Sequence, residues 1–143
     1  MNRADWQQIA EEKLLAAGAL LAASQWSAAY YMAGYALECG LKSCILARLA
    51  GSPEVIFEEN RGKRYSEKCW THNIEDLVDL AGLKPDRDTA VVAAPALATN
   101  WAIVSKWSEA ARYQMKTQLE SQALYNAITD PTTGVMQWIR ARW

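Results

Sequence analysis

The feature that most limits what this chain can fold into is the stretch from about Ser24 to Leu49, which contains no proline and stops only at the cluster Gly51, Ser52, Pro53. A run of that length, ended by residues that disfavour continuation, predicts one long helix. Placed at about 100° per residue, Tyr31, Tyr35, Glu38, Lys42, Ile45 and Leu49 fall on one narrow face. Ala29, Ala33, Ala36, Gly40, Cys44 and Ala47 fall on the opposite one. The small face would let another helix approach closely, a reason to keep Gly40 despite a cost of about 1 kcal/mol relative to alanine. A helix crowded on most sides makes Tyr35, Glu38 and Lys42 a polar stripe in a largely buried element, where a carboxylate and an ammonium need each other or further partners. Glu38 and Lys42 stand in the favourable i, i+4 order. Two readings of the stripe stay open: an ion pair that closes the bundle, or the floor of a polar cleft, at a dimer seam, where Glu38 holds a cation, a base or a ribose.

The remaining periodicity surrounds this helix with shorter ones. Trp6, Ile9, Leu14, Ala17, Leu20 and Leu21 predict a first helix over about residues 3–23, after which Ser24 can cap the second. Residues from about 53 to 70 have no sustained period and mix Arg61, Lys63, Arg64 and Lys68 with four glutamates, the pattern of a charged loop or insertion. Thr71 is the expected N-cap of a short third helix carrying Ile74, Leu77, Val78 and Leu80, with Gly82 and Pro85 as stop signals. Asp88 or Thr89 opens a fourth. Pro95 kinks or restarts it, and its second part carries Leu97, Trp101, Val104 and Trp107 toward Tyr113. Thr117 and Glu120 form a capping box for a fifth, interrupted at Asp130-Pro131 and followed by a last piece holding Val135, Met136, Trp138, Ile139 and Trp143. No segment alternates with a period of two for long enough to be a strand. The prediction is an all-α, up-and-down bundle of about five helices, one domain over residues 1–143.

Composition narrows the function classes. At 143 residues the chain can bury a substantial core without a disulfide or metal. Its formal charge of -1 gives no net positive field, so any nucleic-acid surface must be a local patch. Seven Trp and six Tyr against one Phe favour surfaces with one buried and one wet edge, and so self-association. Three cysteines (Cys39, Cys44, Cys69) with no CxxC predict free thiols and a cytoplasmic setting. The uncharged run from Leu14 to Leu37 is alanine-rich and broken by Ser24, Gln25 and Ser27, which argues against a membrane span. Asp5, Glu11 and Glu12 stand where a signal peptide would be basic.

Few residues carry recognisable chemistry. His72 is the only histidine; its ring can hydrogen-bond backbone or pack on the second helix, or act as an acid or base. Cys69-x-x-His72 has metal-ligand spacing but no second pair, so no metal site is expected. Arg112-Tyr113 can bind phosphate, or Arg112 can complement a helix dipole and pair with Glu109. No glycine-rich phosphate loop, GxSxG elbow or carboxylate-rich metal motif appears, and no cofactor is expected.

Three segments together resemble the HEPN domain family: Ala29-Tyr-Tyr-Met-Ala-Gly-Tyr-Ala-Leu-Glu-Cys-Gly-Leu-Lys42, Thr71-His-Asn-Ile-Glu-Asp-Leu77 and Trp107-Ser-Glu-Ala-Ala-Arg-Tyr113. The closing Gly134-Val-Met-Gln-Trp-Ile139 is similar to the family's last helix. The resemblance implies a bundle of four or five helices, homodimerisation around a cleft, and roles in toxin–antitoxin pairs, phage defence, RNA cleavage or noncatalytic binding. Its ribonucleases carry Arg and His separated by four to six residues. Here Arg112 is followed at those positions by Thr117, Gln118 and Leu119, and His72 lies too far from Arg64, with seven residues between. Metal-independent RNA cleavage needs a general base and a general acid, roles that histidine fills best near neutral pH. The departure therefore argues against catalysis.

The leading expectation is a homodimeric binding or regulatory module acting on nucleotide, RNA or a protein partner, with Tyr35, Glu38, Lys42, His72, Arg112 and Tyr113 as binding residues. The rivals are a ribonuclease toxin using His72 with Arg64 or Arg112, and the partner of a nucleotidyltransferase.

Overall fold

A computed structural model describes residues 1–51 and 67–143. Among these residues the chain is helical throughout, with no strand. The helices are α1 (Arg3–Ala22), α2 (Trp26–Gly51), α3 (Ile74–Leu80), α4 (Lys84–Ala93), α5 (Pro95–Val104), α6 (Gln118–Thr129) and α7 (Val135–Arg140), with a 3-10 turn at Glu109–Tyr113 between α5 and α6. Among the described residues the five expected helical segments become these seven helices, because the fourth divides at Pro95 and the fifth at Asp130-Pro131. No described helix is long and apolar enough to cross a membrane. Arg61, Lys63 and Arg64 lie outside the described residues.

The first helix starts at a reciprocal cap. Asn2 Oδ1 accepts from the Asp5 N–H at 3.0 Å and Asp5 Oδ2 accepts from the Asn2 N–H at 2.7 Å. Its buried residues, Ala10, Leu14, Ala17 and Leu21, form one stripe against α2. Ser24 does not cap the second helix as its residue type suggested. It takes a left-handed conformation with φ 59° and closes the first: the Ser24 N–H donates to Leu21 O and the Gln25 N–H to Leu20 O, the paired bonds of a Schellman turn. The tight reversal lays α1 antiparallel along α2.

The second helix is the axis of the bundle, and every residue from Ala36 to Ile45 is buried. Its small face receives α7: a Cβ on Gly40 would stand 3.0 Å from Ile139 and 3.6 Å from Met136. Gly34, six residues earlier, admits the indole of Trp107, which a Cβ would strike.

Three further helix boundaries differ from expectation. The cap of α3 is Asn73, whose Oδ1 accepts from the Asp76 N–H at 3.0 Å, while the Thr71 hydroxyl accepts from the Asn73 N–H at 3.1 Å and shapes the approach. Gly82 ends α3 with φ 70°, as a stop signal should. Pro85, however, opens α4 instead of ending what precedes it, so that helix begins at Lys84 and not at Asp88 or Thr89. In the first turn the missing proline N–H has no partner to lose. Finally, α5 stops at Val104, so Trp107 is buried beyond the helix and Arg112 and Tyr113 sit on the separate 3-10 turn.

At α6 the Thr117 hydroxyl accepts from the Glu120 N–H at 3.2 Å. The Asp130 carboxylate then takes the Thr132 and Thr133 N–H groups and turns the chain into α7, whose Val135, Met136, Trp138 and Ile139 are buried.

Candidate functional site

The polar stripe of α2 is the inner end of a chain of charges that reaches the surface. Glu38 is 1% exposed, and a bare carboxylate there would be severely destabilising. Two partners compensate it. Lys42 Nζ donates to Glu38 Oε1 at 2.8 Å, and His72 Nδ1 lies 3.0 Å from both carboxylate oxygens. An ionised carboxylate can only accept, so the proton in this contact sits on Nδ1 of His72. The imidazole is thereby fixed from behind, and its Nε2 faces Glu109 Oε2 at 3.4 Å.

Glu109 also binds Arg112, whose Nη2 donates to Glu109 Oε1 at 2.8 Å and to the Tyr31 hydroxyl at 3.1 Å. The result is a continuous path, Lys42 to Glu38 to His72 to Glu109 to Arg112 to Tyr31, that begins on α2 and returns to it. Burial drops in one step along it, between Glu38 and His72. Glu38 is enclosed, the His72 side chain is 41% exposed and that of Arg112 is 45% exposed.

Each supporting element has a local cause. His72 is aimed by the Thr71 and Asn73 bonds that set the approach to α3. The 3-10 turn bearing Glu109 and Arg112 is tied to the bundle by Trp107, seated in the notch at Gly34. Tyr35 joins through its ring, stacked on Tyr31 at 6.0 Å and 6° between planes, with Lys13 Nζ 5.9 Å from its centre. Burial, with the neighbouring Cys39 and Glu38, pushes the Tyr35 hydroxyl above its ordinary pKa, so it stays protonated. Tyr113 stands at the outer edge, 83% exposed, with the Arg112 guanidinium 5.8 Å from its ring.

Of the residues singled out in the sequence, Tyr35, Glu38, Lys42, His72, Arg112 and Tyr113 thus gather in one region, while Arg64 lies outside the described residues. Glu109, read from sequence only as a partner for Arg112, is the bridge between Arg112 and His72. Tyr31, Gly34 and Trp107 went unrecognised as parts of the site. A glycine in mid-helix is a signal for close approach, but nothing in the sequence says what approaches.

Other chemistry is limited. All three cysteines are free. Burial pushes the Cys39 and Cys44 thiols up to about 12, and raises Cys69 as well, which disfavours the reactive thiolates. Among the described residues no group of three or more His, Cys, Asp and Glu could hold a metal ion. No protein-family model, curated protein or solved structure matches the chain.

Proposed function

We propose that this protein is a HEPN-like binding module of the toxin–antitoxin or defence type, which acts as a homodimer and engages RNA or a nucleotide at the outer end of the charge path. The observation that carries the reading is convergence: the three separated segments that resemble the family supply Glu38, His72 and Glu109 with Arg112 to one uninterrupted network. Arg112 offers a guanidinium to phosphate, and the faces of Tyr31 and Tyr113 beside it offer stacking to bases. In the free protein Glu109 occupies the place a phosphate would take, so an anionic ligand has to displace it from Arg112.

Titration of a fluorescent single-stranded RNA at low salt tests this directly. Arg112→Ala is expected to weaken binding about tenfold, the scale of one charge-assisted contact. Glu109→Gln, which removes the competing charge, is expected to tighten it. Unchanged affinity in both variants would refute the reading, and light-scattering mass over a concentration series tests the dimer.

A second reading, a metal-independent ribonuclease, draws on one specific feature. Glu38 holds His72 through Nδ1, and Nε2 points to the solvent side against Glu109 at 3.4 Å, so that displacing Glu109 would give the arrangement an acid–base histidine requires. With one histidine per chain, two protomers would have to share the acid and base roles. Incubation with structured and single-stranded RNA separates the two: cleavage that vanishes in His72→Ala would make the protein an enzyme, and binding without cleavage would leave it a module.

A further inference from the structure

At the other end of the same stripe, Lys42 also forms part of the lining of a cavity of about 310 Å³, walled by Trp6, Ile45, Leu46, Leu49, Cys69 and Trp70. Its volume is at the lower end of the range for small-molecule sites, and its character is typical of them: apolar walls with one polar group. That polar group is incompletely used. The Lys42 side chain is 9% exposed and carries three donors; its one hydrogen-bond acceptor among the described residues is Glu38 Oε1, and its ammonium otherwise lies 5.1 Å from the centre of the Trp6 ring. Buried donors without acceptors are costly, so an oxygen brought into the cavity gains from completing the shell of Lys42.

The charge of Lys42 is already balanced by Glu38 at 2.8 Å, so a second buried anion would face that carboxylate uncompensated. A neutral carbonyl satisfies the donor without this penalty. Trp6 supplies an aromatic surface on one helix and Trp70, 76% exposed, a second one at the rim. We infer that this cavity is a binding site for a small neutral aromatic molecule bearing a carbonyl, its ring against Trp6 and Trp70 and its oxygen accepting from Lys42 Nζ. A free aromatic amide and a nucleobase share that chemistry. The inference is independent of the RNA reading, because neither His72 nor Arg112 lines the cavity.

Calorimetric titration of the full chain with indole-3-acetamide, indole, indole-3-acetate and uridine tests it. Indole-3-acetamide is expected to bind at least tenfold more tightly than indole, which has the ring without the carbonyl, and than indole-3-acetate, which adds a charge. Leu46→Trp, which enlarges a lining side chain so that it fills the cavity, should abolish that binding. Trp70→Ala, a change at an exposed position, should weaken it severalfold while leaving the melting temperature in place. Uridine binding that responds to both variants would identify a nucleobase as the source; amide binding without uridine binding would identify a free small molecule, and both support the site. No binding of any probe, affinity for indole or for the acid equal to that for the amide, or affinity unchanged in both variants would overturn it.

Discussion

Two ion networks in this bundle share many ingredients and differ in how they end. Around Arg87, every nitrogen of the guanidinium is engaged: Nη1 and Nη2 each donate to one oxygen of Glu75 at 2.8 Å, and Nε donates to Asp88 at 2.9 Å. The cation lies 5.1 Å from the centre of the Trp101 ring, and the Ser105 hydroxyl adds a bond to Glu75. That network ties α3, α4 and α5 together, and its outer groups are the Glu75 and Asp88 carboxylates, 46% and 57% exposed. The network of Glu38 has the opposite polarity. It begins with a carboxylate shut inside the bundle and finishes on a histidine and an arginine that solvent reaches. Pairing alone therefore does not distinguish structure from function; both networks reach solvent, and the useful distinction is whether the outermost group is a cation that an anionic ligand can take.

The comparison breaks most visibly at Glu38. Glu38→Ala would leave the Lys42 ammonium buried without its acceptor, and a loss of about 3–5 kcal/mol is expected, the usual scale for removing one partner of a buried pair. Chemical denaturation measures it. A loss below about 1 kcal/mol would mean that water already compensates Lys42. Gly34→Ala probes the same network without touching a charge: a Cβ there pushes on Trp107, and overpacking of about 1–3 kcal/mol is expected, together with weaker RNA binding as the Glu109 and Arg112 turn shifts.

The Arg87 network should respond more mildly, because Glu75 keeps access to solvent. Arg87→Ala is expected to lose about 1–2 kcal/mol. It should also change the acid limb of stability. Hydrogen bonds from Arg87 hold the Glu75 carboxyl below its ordinary value of 4.5, so its contribution is full above that value and disappears as pH falls through the lower folded value. Urea midpoints between pH 5 and pH 2 should show this loss in the parent and a shallower one in Arg87→Ala. Smallest of all, His72→Ala should lower stability by about 1 kcal/mol, since Lys42 still compensates Glu38. A stability loss as large as that of Glu38→Ala would make His72 a structural partner of Glu38 and not a group free to meet a ligand.

Legibility in the sequence followed the range of the interaction. Glu38 and Lys42 are four residues apart on one helix, and their pairing could be read because helix geometry alone brings them together. His72 is thirty-four residues from Glu38, and no local rule connects them. The Asn2 and Asp5 cap was readable from its spacing but was not recognised, whereas the left-handed Ser24 was hidden by its residue type, since glycine is the usual occupant of that position. Pro85 and Pro95 carried the same local meaning, a helix start, yet only Pro95 was considered as one.

By itself, the sequence determined an all-helical bundle arranged about a long second helix with one small and one polar face, because apolar period, proline placement and glycine stops act within a few residues. Tertiary structure alone decided which loops meet the polar face. Packing of α3 and the Trp107 turn against α2 carried His72, Glu109 and Arg112 to Glu38, and the same packing left Lys42 with donors facing an apolar cavity. Those outcomes depend on chain crossings between distant segments, and periodicity contains no term for them.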